Sequence, residues 1–255
     1  MAVLEVRDVS KTFDEEQIIS HISMELHEGE IVSLLGASGG GKTTLFNIIA
    51  GLSLPDDGEV WMEGEEVTGK PGHVSYMLQK DLLLPYRNIL DNVAMPLIIR
   101  GAKKKEAREI AAPYFAQFGL EGTEKKYPAQ LSGGMRQRAA LLRTYLFSKK
   151  VALLDEPFSA LDMLTKKSIH EWYLDVMEKI QLSTLFITHD VDEAILLSDR
   201  IYLLTGKPGE ITKEIVIREQ RPRPKEFQLS EQFLEYKREV LSHLQGKSID
   251  ESVVL

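Results

Sequence analysis

The first third of the chain alternates apolar and polar positions in several short runs. "VLEV" and "IISHISMEL" show this alternation, which predicts antiparallel strands with one buried face. "EIVSLLG" is instead a continuous apolar run ending in glycine, which is typical of a buried strand that leads into a loop. "TTLFNIIAGL" then has helical spacing and stops at Gly51, and "GEVWMEGEEV" and "HVSYMLQ" return to strand character.

The pattern becomes helical between Asn88 and Phe147. "KKKEAREIAAPYFAQFG" is amphipathic and ends at glycine, and "GMRQRAALLRTYLF" predicts a second helix. "VALLDEP" and "STLFITHD" are buried strands that each end in polar residues, while "RIYLLTG" and "EITKEIVI" predict the strands that close the sheet. Because strands alternate with helices in this half, we expect a parallel sheet covered on both faces.

A change of composition after Arg218 predicts where the main domain ends. "REQRPRPKEF" is rich in proline and arginine, and "SEQFLEYKREVLSHLQ" has the spacing of an amphipathic helix. We therefore predict one domain over 1–217, with a helical subdomain at about 88–147, and a linker with a terminal helix over 218–255.

Composition and charge exclude several kinds of function. The 255 residues carry a formal net charge of -8 and include no cysteine, so disulfides and thiolate chemistry are ruled out. The short basic run Lys103–Lys105 opens a helical pattern and predicts a solvated helix face, so we expect no nucleic-acid partner. The start of the chain has no signal-peptide pattern, and no apolar run approaches the roughly 20 residues that span a bilayer. We expect a soluble, cytosolic chain unless a partner holds it elsewhere.

The segment "GASGGGKTT", Gly36 to Thr44, fits the phosphate-loop pattern G-x-x-x-x-G-K-[ST] between a predicted strand and a predicted helix. Glycines allow backbone N–H groups to surround a phosphate, and the helix that follows adds its positive end. Lys42 can reach the β- and γ-phosphates of a nucleotide, and the hydroxyl of Thr43 can bind Mg²⁺. The predicted nucleotide-binding residues of this loop are Gly36, Ser38, Gly39, Gly40, Gly41, Lys42, Thr43 and Thr44.

Two acids and a histidine follow other predicted strands. Asp155 ends "VALLD", where its carboxylate can hold Mg²⁺ directly or through water. Glu156 comes next, and because the strand ends there its side chain can face the γ-phosphate and act as a general base on water. His189 follows "LFIT" at the edge where open α/β sheets bind ligands, which favours a γ-phosphate contact. Each residue could also be part of an ordinary solvated strand end.

These motifs, in this order, resemble one family, the ATP-binding subunits of ABC transporters. The phosphate loop is followed by the lone Gln79 after "HVSYML", by the signature "LSGGMRQR" at Leu131 to Arg138, by "VALLDEP", by "SALD" ending at Asp162, and by "THD". The phosphate loop is shared by many NTPases, but the signature and "SALD" flanking "LLDEP" are highly specific. The resemblance extends from about the start of the chain to the Pro/Arg linker.

The resemblance implies an α/β fold, a P-loop NTPase core of the RecA-like type with an antiparallel β subdomain and an inserted α-helical subdomain. It implies ATP and Mg²⁺ as cofactors and a homodimer with two shared ATP sites. In such a dimer Ser132, Gly133 and Gly134 of one subunit cap the γ-phosphate held by the phosphate loop of the other, and a helix N-terminus suits that task. Ser132 could also simply cap its own helix.

Further roles follow from the resemblance alone. Phe13 would stack on adenine, Gln79 would contact Mg²⁺ or its water, and Asp162 would lie at the dimer contact. The segment "LLRTYL" departs from the usual family pattern after the signature, and we interpret it as helix packing. By the resemblance, the apolar loop "KDLLLPYRNIL" forms a groove for a short permease helix, with Leu83, Leu84 and Tyr86 as predicted contacts. The residues 82–86 could instead pack under the helical segment, and we expect that for half of them.

The loop after Gln79 and the segment "SDRIYLLTGKPGEITKEIVI" with "RPRP" resemble importers of the nitrate, sulfonate and taurine type. We therefore expect an importer ATPase at the cytoplasmic face of the membrane, with an integral permease and a solute-binding protein as partners. The residues that contact the transported substrate lie in those other subunits. An exporter ATPase shares all of the motifs and stays an alternative, as does a soluble non-transport ABC ATPase, although its DNA-repair form would need long coiled-coil heptads between the ATP motifs.

Overall fold

In the computed structural model, which describes residues 2–147, 150–159 and 163–244, the chain forms two sheets with helices around them. The strands are β1 Ala2–Phe13, β2 Glu16–His27, β3 Ile31–Gly36, β4 Asp57–Met62, β5 Glu65–Glu66, β6 Ser75–Met77, β7 Val151–Asp155, β8 Ser183–Thr188, β9 Arg200–Thr205 and β10 Glu210–Val216. The α-helices are α1 Lys42–Ile49, α2 Ile89–Val93, α3 Met95–Ile99, α4 Lys104–Ala111, α5 Tyr114–Gln117, α6 Gly133–Phe147, α7 Met163–Ile180, α8 Val191–Leu197 and α9 Glu231–Leu244. Short 3-10 helices lie at Pro128–Gln130 and Lys225–Leu229.

The order of the strands in the larger sheet determines where the site lies. Its six strands run β10-β9-β3-β8-β7-β6, and all neighbours from β9 to β6 pair in parallel, while β10 pairs antiparallel with β9. Strands β3, β7 and β8 are buried along their whole length, as their uninterrupted apolar runs predict. The predicted parallel sheet with a closing pair at one edge is confirmed.

The smaller sheet is antiparallel, in the order β2-β1-β4-β5. Alternate residues of β2, such as Ile22, Met24 and Leu26, are buried against the larger sheet. The predicted antiparallel subdomain is therefore confirmed, and its inner face closes over α1 and the buried face of the larger sheet.

The helices α2 to α6 form the inserted helical part, which packs around Phe115, Phe118 and Leu142. The single amphipathic helix predicted from "KKKEAREIAAPYFAQFG" is wrong, because the structure has α4 and α5 with a break near Pro113. Proline has no N–H to donate within a helix, which accounts for the break. At the other end of the chain, α9 packs Phe233 and Val240 against β9, β10 and α8, as the amphipathic spacing predicts.

Candidate ATP-hydrolysis site

The predicted chemistry lies along one edge of the larger sheet. The strands β3, β8, β7 and β6 are adjacent in that order, and their carboxyl ends carry the phosphate loop, His189, the Asp155–Glu156 pair and the segment with Gln79. Residues that are far apart in sequence thus lie next to one another along the same edge of the sheet. This edge is where ligands bind in open parallel sheets.

The phosphate loop leaves β3 at Gly36 and enters α1 at Lys42. A Cβ atom at Gly36 would lie 2.3 Å from the carbonyl oxygen of Leu204, so the close pairing with β9 requires glycine. Gly41 has φ +89° and is the residue before α1, where no side chain caps the helix and no acid occupies the first turn. The first N–H groups of α1 therefore remain for an anion.

Lys42 is 6% exposed, and its ammonium donates to the carbonyl oxygens of Gly36 at 2.8 Å and Ala37 at 2.7 Å. Burial lowers the pKa of Lys42, while the charges of Glu156 and Asp155 oppose that change. The cation is thus held against the loop by its backbone. This places a positive charge where the β- and γ-phosphates of a nucleotide would lie if the loop binds one.

Asp155 lies at the end of β7 and is 7% exposed. Its carboxylate accepts a hydrogen bond from Thr43 Oγ1 at 3.3 Å and a long one from the hydroxyl of Tyr76 at 3.5 Å. Burial raises the pKa of Asp155, and the hydrogen bond from Thr43 opposes the rise. An adjacent hydroxyl and carboxylate are the hard oxygen ligands that Mg²⁺ takes from protein when phosphates and water supply the rest, so these two residues fit the predicted metal. Sequence reasoning missed Tyr76.

Glu156 turns away from the strand because its φ is +46°, in the left-handed region. Backbone bonds fix this turn: its N–H donates to Ile187 at 3.1 Å, and its carbonyl accepts from the N–H and the hydroxyl of Ser159 at 3.2 and 3.0 Å. The carboxylate accepts from Gln79 Nε2 at 2.9 Å and lies 3.1 Å from His189 Nδ1. Three sequence-predicted residues therefore meet at one carboxylate. A non-glycine residue held in this region by several bonds is typical of functional sites.

The aromatic and signature residues lie apart from that cluster. Phe13 ends β1, is 48% exposed, and has Lys11 Nζ 5.2 Å from its ring centroid. Ser132 is exposed and caps α6, because its Oγ accepts from Met135 N at 3.3 Å. Gly133 and Gly134 begin the same helix. No hydrogen bond or ion pair among the described residues joins this helix start to the phosphate loop, and Asp162 lies outside the described residues.

The loop after Gln79 differs in detail from its prediction. Leu83 is 7% exposed and belongs to the hydrophobic core, so its predicted place on a docking surface is wrong. Leu84 is half-buried, and its backbone bonds the side chain of Asn92. Leu82 has φ +45° and is 52% exposed, while Tyr86 is 87% exposed. The left-handed backbone at Leu82 is a local feature that the apolar composition of the loop does not predict.

The interpretation of "LLRTYL" as mere helix packing is also wrong for Arg143. Its guanidinium donates to the carbonyl oxygens of Asp81 at 2.5 Å and Leu82 at 2.8 Å, so it ties α6 to the loop after Gln79. Arg136 of the same helix adds an ion pair with Asp81 at 3.2 Å. An arginine on the inner face of a predicted helix, opposite a loop, was the available signal.

An open apolar groove of about 480 Å³ lies beside this loop. It is lined by Ala50, Leu52, Pro71, Gly72, Val74, Tyr76, Leu82, Met95, Pro96, Ile99, Arg143, Thr144 and Phe147. Several of these apolar side chains are well exposed, including Leu52 at 65% and Ile99 at 73%. In the described part of the chain, the helices are all too short or too polar to cross a bilayer.

Comparison with known proteins identifies the family. The model of the family described as "ABC transporter" matches residues 19–159. The formylaminopyrimidine import ATP-binding protein ThiZ of Halalkalibacterium halodurans is 50% identical over 75% of this chain and 74% of its own length. The nitrate import ATP-binding protein NrtD of Synechocystis sp. is 36% identical over 98% of this chain and 97% of its own.

A solved structure supports the same assignment. The dimeric post-hydrolysis state of the ATP-binding cassette MJ0796 bound to ADP and Pi matches with a TM-score of 0.70 and 30% identity, over 85% of this chain and 100% of that one. ThiZ and NrtD are both import proteins by name, so the exporter and non-transport alternatives gain no support. The chain belongs to the ABC transporter family and is an ATP-binding subunit that hydrolyses ATP.

Proposed function

We propose that this chain energises an ABC importer as a homodimer at the cytoplasmic face of the membrane, docked on an integral permease that works with a solute-binding protein. One observation carries the proposal. Glu156, Gln79 and His189 converge at the sheet edge that carries the phosphate loop, whereas the exposed Ser132 helix start makes no hydrogen bond or ion pair with that loop among the described residues. A second copy, related by a two-fold axis, would complete both ATP sites.

Within each proposed site the residues divide the chemistry. Lys42 and the start of α1 would bind the β- and γ-phosphates, and Phe13 would stack on adenine. Thr43, Asp155 and Gln79 would hold Mg²⁺, which supplies charge neutralisation at the phosphates when bound. Glu156 would orient the attacking water and accept its proton, while His189 would bind the γ-phosphate. Ser132, Gly133 and Gly134 of the partner would close the site, and Asp162 would lie at the contact between subunits.

The dimer is tested by sedimentation with Mg-ATP. Glu156→Gln should slow hydrolysis and let the ATP-bound dimer accumulate, whereas Glu156→Gln with Ser132→Arg should stay monomeric because a bulky cation replaces the cap. Ser23→Arg, at an exposed position of the outer strand β2, is the matched control and should leave the dimer intact. A dimer that survives Ser132→Arg unchanged would contradict the shared site.

The permease would dock in the groove beside the loop after Gln79. Leu82 lines the groove, and Tyr86 is 87% exposed on the same loop. Arg143 fixes the loop to the signature helix, so the loop and the γ-phosphate cap would move together. A short permease helix with an apolar face would fit a groove of this kind. Leu84 contributes less, because it is half-buried.

Transport by the reconstituted complex tests the docking surface. Tyr86→Glu should leave ATP hydrolysis by the isolated subunit nearly unchanged, but it should weaken assembly with the permease or uncouple ATP use from uptake. Leu229→Glu is a matched control, since Leu229 is also 87% exposed but belongs to the 3-10 helix Lys225–Leu229 near the C-terminus. If the Tyr86→Glu complex assembles and transports normally, the loop does not dock the permease. Export in place of uptake in the same vesicles would contradict the importer assignment.

A further inference from the structure

A buried carboxylate lies directly behind His189. Glu193 is in the first turn of α8 and is only 3% exposed. Carboxylates are rarely buried to this extent without partners, because removal from water strongly disfavours the charged form. The helix does not need this side chain for capping, since Asp190 already accepts from the N–H groups of Asp192 and Glu193. The burial of Glu193 therefore calls for another explanation.

The carboxylate of Glu193 holds the chain on the N-terminal side of His189. Thr188, the last residue of β8, donates its hydroxyl to one oxygen of Glu193 in a short hydrogen bond. The same hydroxyl accepts from the N–H of Asp190 at 3.0 Å. The residues immediately before and after His189 are thus tied to each other and to a buried anchor. The ring of His189 projects from this fixed backbone to Glu156, with 3.1 Å between Nδ1 and Oε1.

The other oxygen of Glu193 faces helix α7. His170 Nε2 lies 3.0 Å away and Lys166 Nζ lies 3.7 Å away, and Lys166 also pairs with Asp190 at 3.1 Å. Both residues lie in the first half of α7, which starts at Met163, directly after the "SALD" segment. A buried carboxylate bridged to two basic groups is a well-defined link between two helices.

The same cluster reaches Glu156 by a second route. The ring of Phe158, two residues after Glu156, packs edge-on against the ring of His170 with centroids 4.8 Å apart. A movement of the start of α7 would therefore act on His189 through Glu193 and on Glu156 through Phe158. Packed and hydrogen-bonded groups of this kind transmit small shifts, although the coupling must be measured.

We propose that Glu193 is a positioning residue for His189, and that the cluster of Lys166, His170 and Glu193 links the helix after "SALD" to that histidine. The inference rests on the proposed role of His189 at the γ-phosphate. It adds a route by which a change at the start of α7, where the dimer contact is proposed, alters hydrolysis. Among the described residues, no hydrogen bond, ion pair or ring contact joins the cluster to the phosphate loop, so the cluster should act on turnover and leave ATP binding unchanged.

Steady-state hydrolysis of Mg-ATP by the full chain tests this. Glu193→Gln keeps the shape and an oxygen for Thr188 but presents an amide to Lys166 and His170, so kcat should fall about 3-fold to 10-fold. Glu193→Ala releases both sides, and kcat should fall roughly 10-fold to 100-fold, because a misplacement of about 1 Å can cost 10²-fold. KM for ATP should stay within about twofold of the wild-type value, which distinguishes misplacement of His189 from weaker binding of ATP. Asp192→Asn, in the same turn but paired with Lys237 of α9, is the matched control and should leave kcat unchanged.

A double-mutant cycle with His189→Ala decides between positioning and general stability. If Glu193 acts through His189, then Glu193→Gln should lower kcat by less than about twofold in the His189→Ala background. An equal loss in both backgrounds, or a raised KM with unchanged kcat, would overturn the proposal while leaving His189 in its proposed role. Wild-type turnover by His189→Ala alone would overturn both roles. If the Glu193→Ala protein does not fold, Lys166→Met should be measured instead. It should likewise lower kcat and leave KM for ATP unchanged.

Discussion

Replacing Glu156 with glutamine removes the proposed base without disturbing its surroundings. The residue has φ +46° and is held by backbone bonds to Ile187 and Ser159, none of which involves the carboxylate. Glutamine has the same length, so its carbonyl oxygen can still accept from Gln79 Nε2. What the amide cannot do is accept a proton from water. The structure therefore predicts a loss in the chemical step with binding retained.

The expected magnitude follows from the role. A positioned general base contributes about 10²-fold to 10⁴-fold, which corresponds to about 2.7–5.4 kcal/mol of transition-state stabilisation. Glu156→Asp keeps the carboxylate but withdraws it by one methylene group from Gln79 and His189. A misplacement of about 1 Å can cost 10²-fold, so Glu156→Asp should lie between wild type and Glu156→Gln.

Phosphate release under saturating Mg-ATP measures turnover, and equilibrium binding of ATP measures affinity. Glu156→Gln should bind ATP at least as tightly as wild type and turn over at most about one hundredth as fast. Lys42→Ala should instead weaken ATP binding, so its turnover should be low at low ATP concentration, because the phosphates lose the fixed cation beside them. Turnover by Glu156→Gln within about threefold of wild type would refute the reasoning and remove Glu156 from the base role.

Two further changes test the loop and the helical part. Gly41→Ala places a Cβ 2.4 Å from Ile19 Cγ2 at φ +89°, whereas Gly39→Ala has a similar φ of +80° but open space around it. Nucleotide affinity, measured by fluorescence titration, should therefore fall at least about tenfold more for Gly41→Ala than for Gly39→Ala. Equal losses would show that only the backbone conformation matters. Asp91 is paired with Arg108 at 2.7 Å, and this pairing lowers the pKa of Asp91. The pair therefore stabilises the fold fully above the ordinary pKa of 3.8, and this stabilisation is lost as the pH falls through the lowered pKa. Asp91→Asn should lower Tm by roughly 2–10 °C at pH 7, from about 1–3 kcal/mol, and this difference in Tm should shrink as the pH falls below 3.8. A Tm difference that stays constant across pH would contradict the charge pairing.

The functional residues at the strand ends could be predicted from the sequence, because each motif consists of a few neighbouring residues. The glycines and Lys42 after an apolar run identify a phosphate loop, and the acid after "VALL" identifies a strand end. The contact between Glu156 and His189 did not follow from such signals. It depends on β7 and β8 being adjacent in the sheet, which only the strand order β3-β8-β7-β6 reveals. The spacing of residues along the chain does not show that order.

Errors arose where backbone reversals or distant partners decide the outcome. Leu83 is buried and Leu82 is exposed with a left-handed backbone, and no propensity favours that conformation for leucine. The role of Arg143 depends on carbonyl groups about 60 residues away in sequence.

The distribution of contacts supports a division of labour within the molecule. The catalytic edge is built from strand ends and is fixed mainly by backbone geometry, as at Gly36 and Glu156. The elements around it are joined by side chains instead, with Arg143 linking α6 to the loop after Gln79 and Glu193 linking α8 to α7. Side-chain links can be broken and remade at a cost of a few kcal/mol, whereas the sheet cannot rearrange without unfolding. An arrangement of this kind would let the proposed transport cycle move helices and loops while the chemistry stays aligned at the sheet.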